Sequence, residues 1–579
     1  MKYIKLILFT LCLISVNSYY SQIEKPLKYL NNQTYTYAET HNKYAALAKL
    51  YPAAKFEEMG ASDAGKPIGV FVISKDEIFN YKEVKESKKA VLLINNAIHP
   101  GEPCGVDASV KFATDLLTNK KYAHLLENTI VCIIPFYNVG GGLNRGCCSR
   151  VNQNGPEEYG FRGNTKNRDL NRDFIKCDTR NAKVFAKIYH RYDPDIFIDT
   201  HTTNGSDHQY TLTLIASQPD KMTEEVRGLM RKNIISFLYN EMKLKEMELI
   251  PYVYNYSDTP DNGIKDYLDS PRYSTGYTTL FNTLSFVTEA LKYKPYQDRV
   301  EQTYEFLLTS LKYMNENHAE LKLEREKAID RVVNQKTFDL AWVLDTTTFA
   351  EIDFKGYEAE YQTSQFGDNE KLLVYNHDKP YTKKIKYYNQ FKTSLKVEKP
   401  ICYIIPQAYE QVVERLKINN VVMEPLQADE LITVEMYTIK EYKTVEQPYE
   451  GHYLHYDVKV NKQIRKHQYY KGDYKVYVNQ PSNRYIIETL EPQGMDSFFA
   501  WNFFDGILQQ KERFSPFSFE ETAKELLAND DILKTTFETK KSEDAEFAKS
   551  RDKQLYYIYI NSPYYEDTHN LYPVGRVVN

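Results

Sequence analysis

The sequence predicts an α/β domain with a largely parallel sheet, followed by a β-rich region. Continuous apolar runs at 90–94, 130–134 and 195–198 are typical of strands covered on both faces. Helical patterns separate these runs, and this alternation builds parallel sheets. After about residue 335 the chain changes to β-branched and aromatic segments with turn signals between them.

The helices of the first part have recognisable patterns and boundaries. The pattern at 181–189 follows Asp178 and Thr179, which are candidate N-caps. A predicted strand at 284–287 leads through Pro295 into a long helix. A further helical pattern covers 106–117.

The second part predicts strands and a helical end. Ser518 and Glu521 have the spacing of a capping box, so we expect a helix to begin there. The charged stretch 540–553 predicts a solvated helix face. The predicted strands lie at 401–405, 453–460, 474–478 and 484–490.

The N-terminus has the layout of a secretory signal peptide. Lys2 and Lys5 precede an apolar run at 6–16, and small and polar residues follow. A membrane-spanning helix needs about 20 apolar residues, so this run predicts export and no transmembrane anchor. We therefore expect a secreted or periplasmic protein with a signal peptide at 1–21, a catalytic domain at 22–334 and an accessory region of unknown role at 335–579.

The composition excludes some classes of function. Apolar residues make up 42% of the chain and charged residues 26%, as in soluble globular proteins. The 74 basic and 79 acidic residues leave a net charge of -5, so we expect no nucleic-acid partner. No Cys-x-x-Cys pair occurs, which argues against a thiolate zinc site.

Two His/Glu pairs have a spacing that suits a shared metal ion. His124 and Glu127 flank two leucines in a segment with helical propensity, and we interpret them as structural. His99 and Glu102 follow the buried strand at 90–94 in a Pro-Gly turn. Open α/β sheets place their sites beyond the carboxyl ends of strands, so His99 and Glu102 are the better candidates.

A third ligand should come from another strand end. His201 follows the buried run at 195–198, and the alternative for this residue alone is a core histidine. Two histidines and one carboxylate leave a position for water, which is the pattern of catalytic zinc. His208 follows a polar loop and is at best a residue of the site edge.

Four segments in order resemble the zinc carboxypeptidases. They are 99–102 (His-Pro-Gly-Glu), 162–172 (from Arg-Gly-Asn to Asp-Leu-Asn-Arg), 199–201 (Asp-Thr-His) and 288–290 (Thr-Glu-Ala). The resemblance covers residues from about 35 to about 320. It implies a twisted mixed sheet with helices on both faces and one zinc ion per chain.

The resemblance also implies roles for single residues. Glu289 matches the general base, and Asn171 with Arg172 matches the pair that binds a terminal carboxylate. Arg162 matches an arginine that stabilises the oxyanion, with Arg145, Arg150 and Arg168 as alternatives. A tyrosine often caps the substrate in this family, and this role stays open among Tyr267, Tyr273 and Tyr277.

We therefore expect a secreted metallocarboxypeptidase that hydrolyses C-terminal residues of peptides through a zinc-activated water. Its partner would be a peptide with a free C-terminus, and its oligomeric state stays open. One alternative is a zinc amidase or deacylase acting on cell-wall peptides or N-acyl amino acids. The other is a catalytically silent protein that binds peptides or glycans, which the presence of Glu289 disfavours.

Overall fold

A computed structural model describes residues 27–255 and 258–578. The predicted signal peptide at 1–21 therefore lies outside the described residues. None of the helices in these two ranges is both long and apolar enough to cross a membrane.

The first part of the chain is built around a mixed sheet. Within the described residues it has eight strands in the order β1-β2-β4-β3-β5-β9-β6-β7. Neighbours β4, β3, β5 and β9 are parallel, whereas β1, β2 and β6 pair antiparallel with their neighbours towards the centre. The strands up to residue 291 are β1 (Ala54–Ala61), β2 (Pro67–Ile73), β3 (Ala90–Asn95), β4 (Thr129–Ile134), β5 (Ile196–Thr203), β6 (Leu212–Ala216), β7 (Leu249–Pro251), β8 (Ile264–Lys265) and β9 (Leu284–Leu291).

Helices flank this sheet, which confirms the predicted fold class. Every residue of β3, β4 and β5 is buried, as expected for strands with continuous apolar runs. The long helix α9 begins after Pro295 and packs along α3. The helices of this part are α1 (Tyr37–Leu50), α2 (Tyr81–Glu86), α3 (Cys104–Thr118), α4 (Val139–Leu143), α5 (Arg180–Tyr192), α6 (Glu224–Gly228), α7 (Ile235–Leu244), α8 (Ser274–Thr279) and α9 (Tyr296–Asn334).

The second part is rich in strands, as predicted. A six-stranded sheet has the order β15-β18-β14-β19-β16-β17, β10 pairs with β13, and the hairpin β11-β12 joins β8 of the first part. Its strands are β10 (Thr337–Leu344), β11 (Ala350–Thr363), β12 (Lys371–Tyr388), β13 (Phe391–Glu398), β14 (Cys402–Ile405), β15 (Glu424–Pro425), β16 (Glu430–Thr444), β17 (His455–Tyr469), β18 (Tyr474–Tyr477) and β19 (Gly575–Val577). Its helices are α10 (Glu410–Ile418), α11 (Asn483–Leu490), α12 (Pro516–Asn529), α13 (Asp531–Glu543), α14 (Ala545–Lys549) and α15 (Arg551–Ile560).

Two predictions about the second part are wrong. The strand predicted at 484–490 is the helix α11, and all of its residues are buried. Tyr485, Ile486 and Ile487 have the composition of a strand, and a short run buried on every side shows no period that separates the two structures. The predicted capping box is also absent, because α12 begins at Pro516, before Ser518, and proline suits the first helical position.

The two parts share one hydrophobic core. Phe281, just before β9, stacks on Tyr485 of α11 with ring centroids 5.6 Å apart. Arg484 of the same helix donates to the carbonyl of Thr279 at 3.2 Å. Helices α12–α15 instead enclose a small core of their own, which includes Phe519 and Phe537. The second part therefore packs directly behind the strands that carry the site.

Candidate metal centre

The loop after β3 places the first two candidate ligands side by side. The N–H of Glu102 donates to the carbonyl of His99 at 2.8 Å, which closes a tight turn before α3. Both side chains are only 3% exposed. The turn therefore presents a buried imidazole and a buried carboxylate at the carboxyl end of β3.

His201 joins them from β5, the neighbouring parallel strand. Its Nδ1 lies 3.1 Å from Nδ1 of His99 and 3.1 Å from Oε2 of Glu102. One ligand atom from each of the three residues lies within 4.8 Å of the others. The structure thus brings together the three residues predicted as zinc ligands.

The outer nitrogens of both histidines face carboxylates. His99 Nε2 lies 2.9 Å from Asp169 Oδ1, and His201 Nε2 lies 3.2 Å from Asp199 Oδ2. Such partners hold the proton on Nε2 and leave Nδ1 as an acceptor. The two Nδ1 atoms then face each other and the carboxylate of Glu102. A cation satisfies three converging acceptors, so these residues fit zinc.

Two arginines also reach this cluster. Arg150 donates to Glu102 Oε1 at 2.7 Å and to the carbonyl of Thr202 at 2.6 Å. Arg162 forms an ion pair with Asp169 at 2.8 Å and lies 3.4 Å from Glu102 Oε1. Burial opposes the charge of Glu102, but Arg150 and His99 hold its pKa well below the usual range. Glu102 is therefore ionised, as a metal ligand must be.

The space for Arg150 comes from the sequence of the turn. A Cβ atom on Gly101 would lie 2.8 Å from Cδ of Arg150, so the glycine lets this side chain cross the turn. Arg150 follows a disulfide between Cys147 and Cys148. The other two alternatives point elsewhere, because Arg145 donates to the carbonyl of Glu158 and Arg168 pairs with Asp178.

Asn171 and Arg172 lie on a short turn that Asp169 caps. The N–H of Asn171 donates to Asp169 Oδ1 at 2.8 Å, and Asn171 Oδ1 accepts from the N–H of Ser274 at 3.2 Å. The guanidinium of Arg172 lies 4.5 Å from the centre of the Tyr273 ring. The turn and the aromatic ring hold the Arg172 side chain in one orientation.

Glu289 lies on β9 directly beside His201. Burial raises its pKa to about 7, and the nearby charge of Glu102 contributes to the shift. A carboxylate with this pKa is suited to accept and return a proton near neutral pH.

These side chains line one cavity of about 660 Å³. Tyr267 and Tyr273 also line it, whereas Tyr277 is buried and donates to Asn419 at 2.5 Å. Of the three tyrosines left open by the sequence, two can contact a ligand. The cavity lining includes His99, Glu102, Arg150, Arg162, Asn171, Arg172, His201 and Glu289.

The remaining candidate histidines lie away from the cluster. His124 is in a 3-10 turn at Lys120–Leu126 whose two leucines are buried, as interpreted from the sequence. His208 packs against Tyr210 and Phe354, and burial lowers its pKa to about 3. His208 is therefore a neutral residue of a hydrophobic cluster.

Sequence reasoning missed the supporting roles of Asp169 and Asp199, although both lie in the motifs. One signal was available for Asp199: residues two apart on a strand point to the same face, so Asp199 accompanies His201. No local signal links Asp169 to His99, which lies 70 positions earlier. The contact of Arg150 with Glu102 likewise depends on the path of a loop.

Comparisons with known proteins agree with this site. Residues 40–324 match the profile of the family described as zinc carboxypeptidase. Carboxypeptidase 2 of Trichophyton tonsurans is 21% identical over 445 residues, which cover 72% of this chain and 74% of that protein. Probable carboxypeptidase 2 of Trichophyton verrucosum is 28% identical over 120 residues, covering 21% of this chain and 20% of that protein.

Solved structures of carboxypeptidases are also similar. A putative carboxypeptidase A from Shewanella denitrificans has a TM-score of 0.38 at 16% identity, covering 49% of this chain and 70% of that one. Carboxypeptidase A from Helicoverpa armigera has a TM-score of 0.37 at 14% identity, covering 49% of this chain and 74% of that one. Through residues 40–324 this chain belongs to the zinc carboxypeptidase family and is a zinc metallocarboxypeptidase.

Proposed function

We propose that this protein removes the C-terminal residue of peptides, with one zinc ion per chain bound by His99, Glu102 and His201. The observation that carries the proposal is the cavity that these ligands share with Arg172, a buried cation with the geometry to bind a carboxylate. Fork-shaped pairing with a terminal carboxylate is specific to substrates with a free C-terminus.

Each remaining residue has one task in this reaction. Zinc bound there would polarise the scissile carbonyl and lower the pKa of water. Glu289 takes a proton from the attacking water and returns it to the leaving amine. Arg162 stabilises the negative charge that develops on the carbonyl oxygen. Asn171 and Arg172 hold the terminal carboxylate.

The cavity favours this function over the two alternatives. An amidase or deacylase has no general need for an arginine and an amide that grip a terminal carboxylate. A silent binding protein has no use for a carboxylate such as Glu289, with a pKa of about 7 beside the metal ligands.

We also propose export and a division of labour along the chain. The N-terminal sequence supports cleavage near residue 21 and release to the periplasm or medium. Residues 22–334 would form the catalytic domain, because they contain all the proposed metal ligands and α9 ends at Asn334. Residues 335–579 would form the accessory region.

The test combines metal analysis with a matched peptide pair. Purified full-length protein should contain about one zinc per chain and cleave a peptide with a free C-terminus. The same peptide with an amidated C-terminus should be cleaved far more slowly. Equal cleavage of both peptides, or full activity in the absence of any metal, would refute the proposal.

A further inference from the structure

A turn of the accessory region lies against the catalytic loop. This turn, residues 449–452, is between β16 and β17, and the backbones of Tyr449 and His452 bond each other at 2.7 and 3.0 Å. Glu450 and Gly451 adopt left-handed conformations with φ of 51° and 85°. This geometry directs the Glu450 side chain away from its own sheet and towards residues 168–172.

Consecutive residues of the 449–452 turn contact the first part of the chain. Glu450 Oε2 accepts the backbone N–H of Asp169 at 2.8 Å. A Cβ atom on Gly451 would lie 2.4 Å from Nη2 of Arg168, so only glycine fits there. His452 Nε2 lies 2.7 Å from Asp178 Oδ2. The turn is therefore seated on the segment that carries Asn171 and Arg172.

The residue that Glu450 holds connects several parts of the site. The Asp169 carboxylate bonds His99 Nε2 at 2.9 Å, pairs with Arg162 at 2.8 Å and accepts from the N–H of Asn171 at 2.8 Å. A small rotation of Asp169 would therefore disturb a metal ligand and the turn that holds Arg172 at once. Its backbone N–H is the group that Glu450 fixes.

We propose that Glu450 is a positioning residue of the carboxypeptidase site. The accessory region then completes the catalytic unit, because Glu450 lies 281 positions after Asp169. An ionised acceptor makes a stronger hydrogen bond than a neutral one, which suits a residue that must hold a loop in place. This inference rests on the proposed function, since it concerns the same metal and substrate residues.

The test uses three variants of the full-length protein. Glu450→Ala removes the acceptor, Glu450→Gln keeps a neutral acceptor of the same shape, and Glu446→Ala alters an exposed glutamate of the same connection. Zinc affinity is measured by competition with a chelator, kcat and KM with a free C-terminus peptide, and Tm by calorimetry.

We expect Glu450→Ala to weaken zinc binding about tenfold, the low end of the effect of outer partners of metal ligands. Its KM should rise by a similar factor, and Tm should fall only slightly. Glu450→Gln should recover part of both losses, and Glu446→Ala should match wild type.

Zinc affinity and KM within twofold of wild type in Glu450→Ala would overturn the inference. Equal losses in Glu450→Ala and Glu450→Gln accompanied by a large fall in Tm would also overturn it, because they indicate a purely structural role. If Glu450→Ala does not fold, wild-type zinc affinity and KM in Glu450→Gln would overturn it. If the wild type binds zinc but cleaves no peptide, the proposed function fails while the zinc measurements still test Glu450.

Discussion

Single carboxylates determine the chemistry of the site at the scale of residues. Asp169 and Asp199 face the outer nitrogens of His99 and His201 and so orient both rings towards Glu102. Glu289 has no such partner role; it lies beside His201 with a pKa raised to about 7 by burial. Residues of one chemical type thus divide into ligand, orienting group and base according to their surroundings.

Replacement of Glu289 with glutamine should abolish turnover and leave zinc bound. General base catalysis contributes about 10²- to 10⁴-fold, so kcat should fall by at least about 100-fold. The measurement is kcat on a free C-terminus peptide together with metal content. Glu521→Gln, on an exposed helix, is the matched control. Turnover within a few-fold of wild type would mean that another group acts as the base.

Replacement of Arg172 with lysine should affect substrate binding more than chemistry. Lysine keeps the charge but loses the two parallel hydrogen bonds that a carboxylate can accept from arginine. We expect KM to rise at least about tenfold with kcat less affected, as for loss of uniform binding. Arg145→Lys is the control, because Arg145 contacts only a surface carbonyl among the bonds described. An unchanged KM would remove Arg172 from carboxylate binding.

At the scale of elements, helix α5 fixes the position of the segment that follows the Arg172 turn. Thr179 is its N-cap and accepts from the N–H of Ala182 at 3.1 Å. The same hydroxyl donates to Asp173 at 2.6 Å, and Asp173 also accepts from the N–H of Asp178 at 3.0 Å. One side chain therefore both begins the helix and closes the loop before it.

Thr179→Ala should destabilise the protein by about 1–2 kcal/mol, the usual range for loss of an N-cap. Thr179→Ser retains the hydroxyl and should differ little from wild type. Thermal unfolding of the three proteins measures the effect. If the alanine variant unfolds at the wild-type temperature, the cap does not contribute to stability.

At the scale of the whole molecule, a buried ion network joins the two parts. Asp178 accepts from Lys176 and Arg168 of the first part and from Arg415 and His452 of the second, at 2.7–3.0 Å. Burial opposes its charge, but His452 and Lys176 hold its pKa well below the usual range. The network and the shared core predict that both parts unfold together.

Asp178→Asn should lower Tm at pH 7, because it leaves buried cations without their partner, at a cost of about 3 kcal/mol. The folded pKa is below the unfolded value of about 3.9, so the stabilisation is complete above that value and declines as pH falls below about 4. The difference in Tm between wild type and variant should therefore be smaller at pH 3 than at pH 7. Asp378→Asn, on an exposed strand, is the control. A difference that does not depend on pH would contradict this account.

The sequence by itself determined the central strands and the residues at their ends. Strands β3, β5 and β9 are recognisable because burial on both faces demands local apolar runs. Parallel strands end at one edge of a sheet, so His99, Glu102, His201 and Glu289 could be expected to meet. Arg162 and Arg172 came from the order of motifs.

Tertiary structure alone decided what supports these residues. The contacts of Asp169 with His99, of Arg150 with Glu102 and of Glu450 with Asp169 join loops whose paths no local period describes. Helix α11 is a similar case, because its burial on all sides depends on neighbours from both parts of the chain. Local periodicity records which face of an element is buried, whereas the partner that buries it is set by the packing of the whole chain.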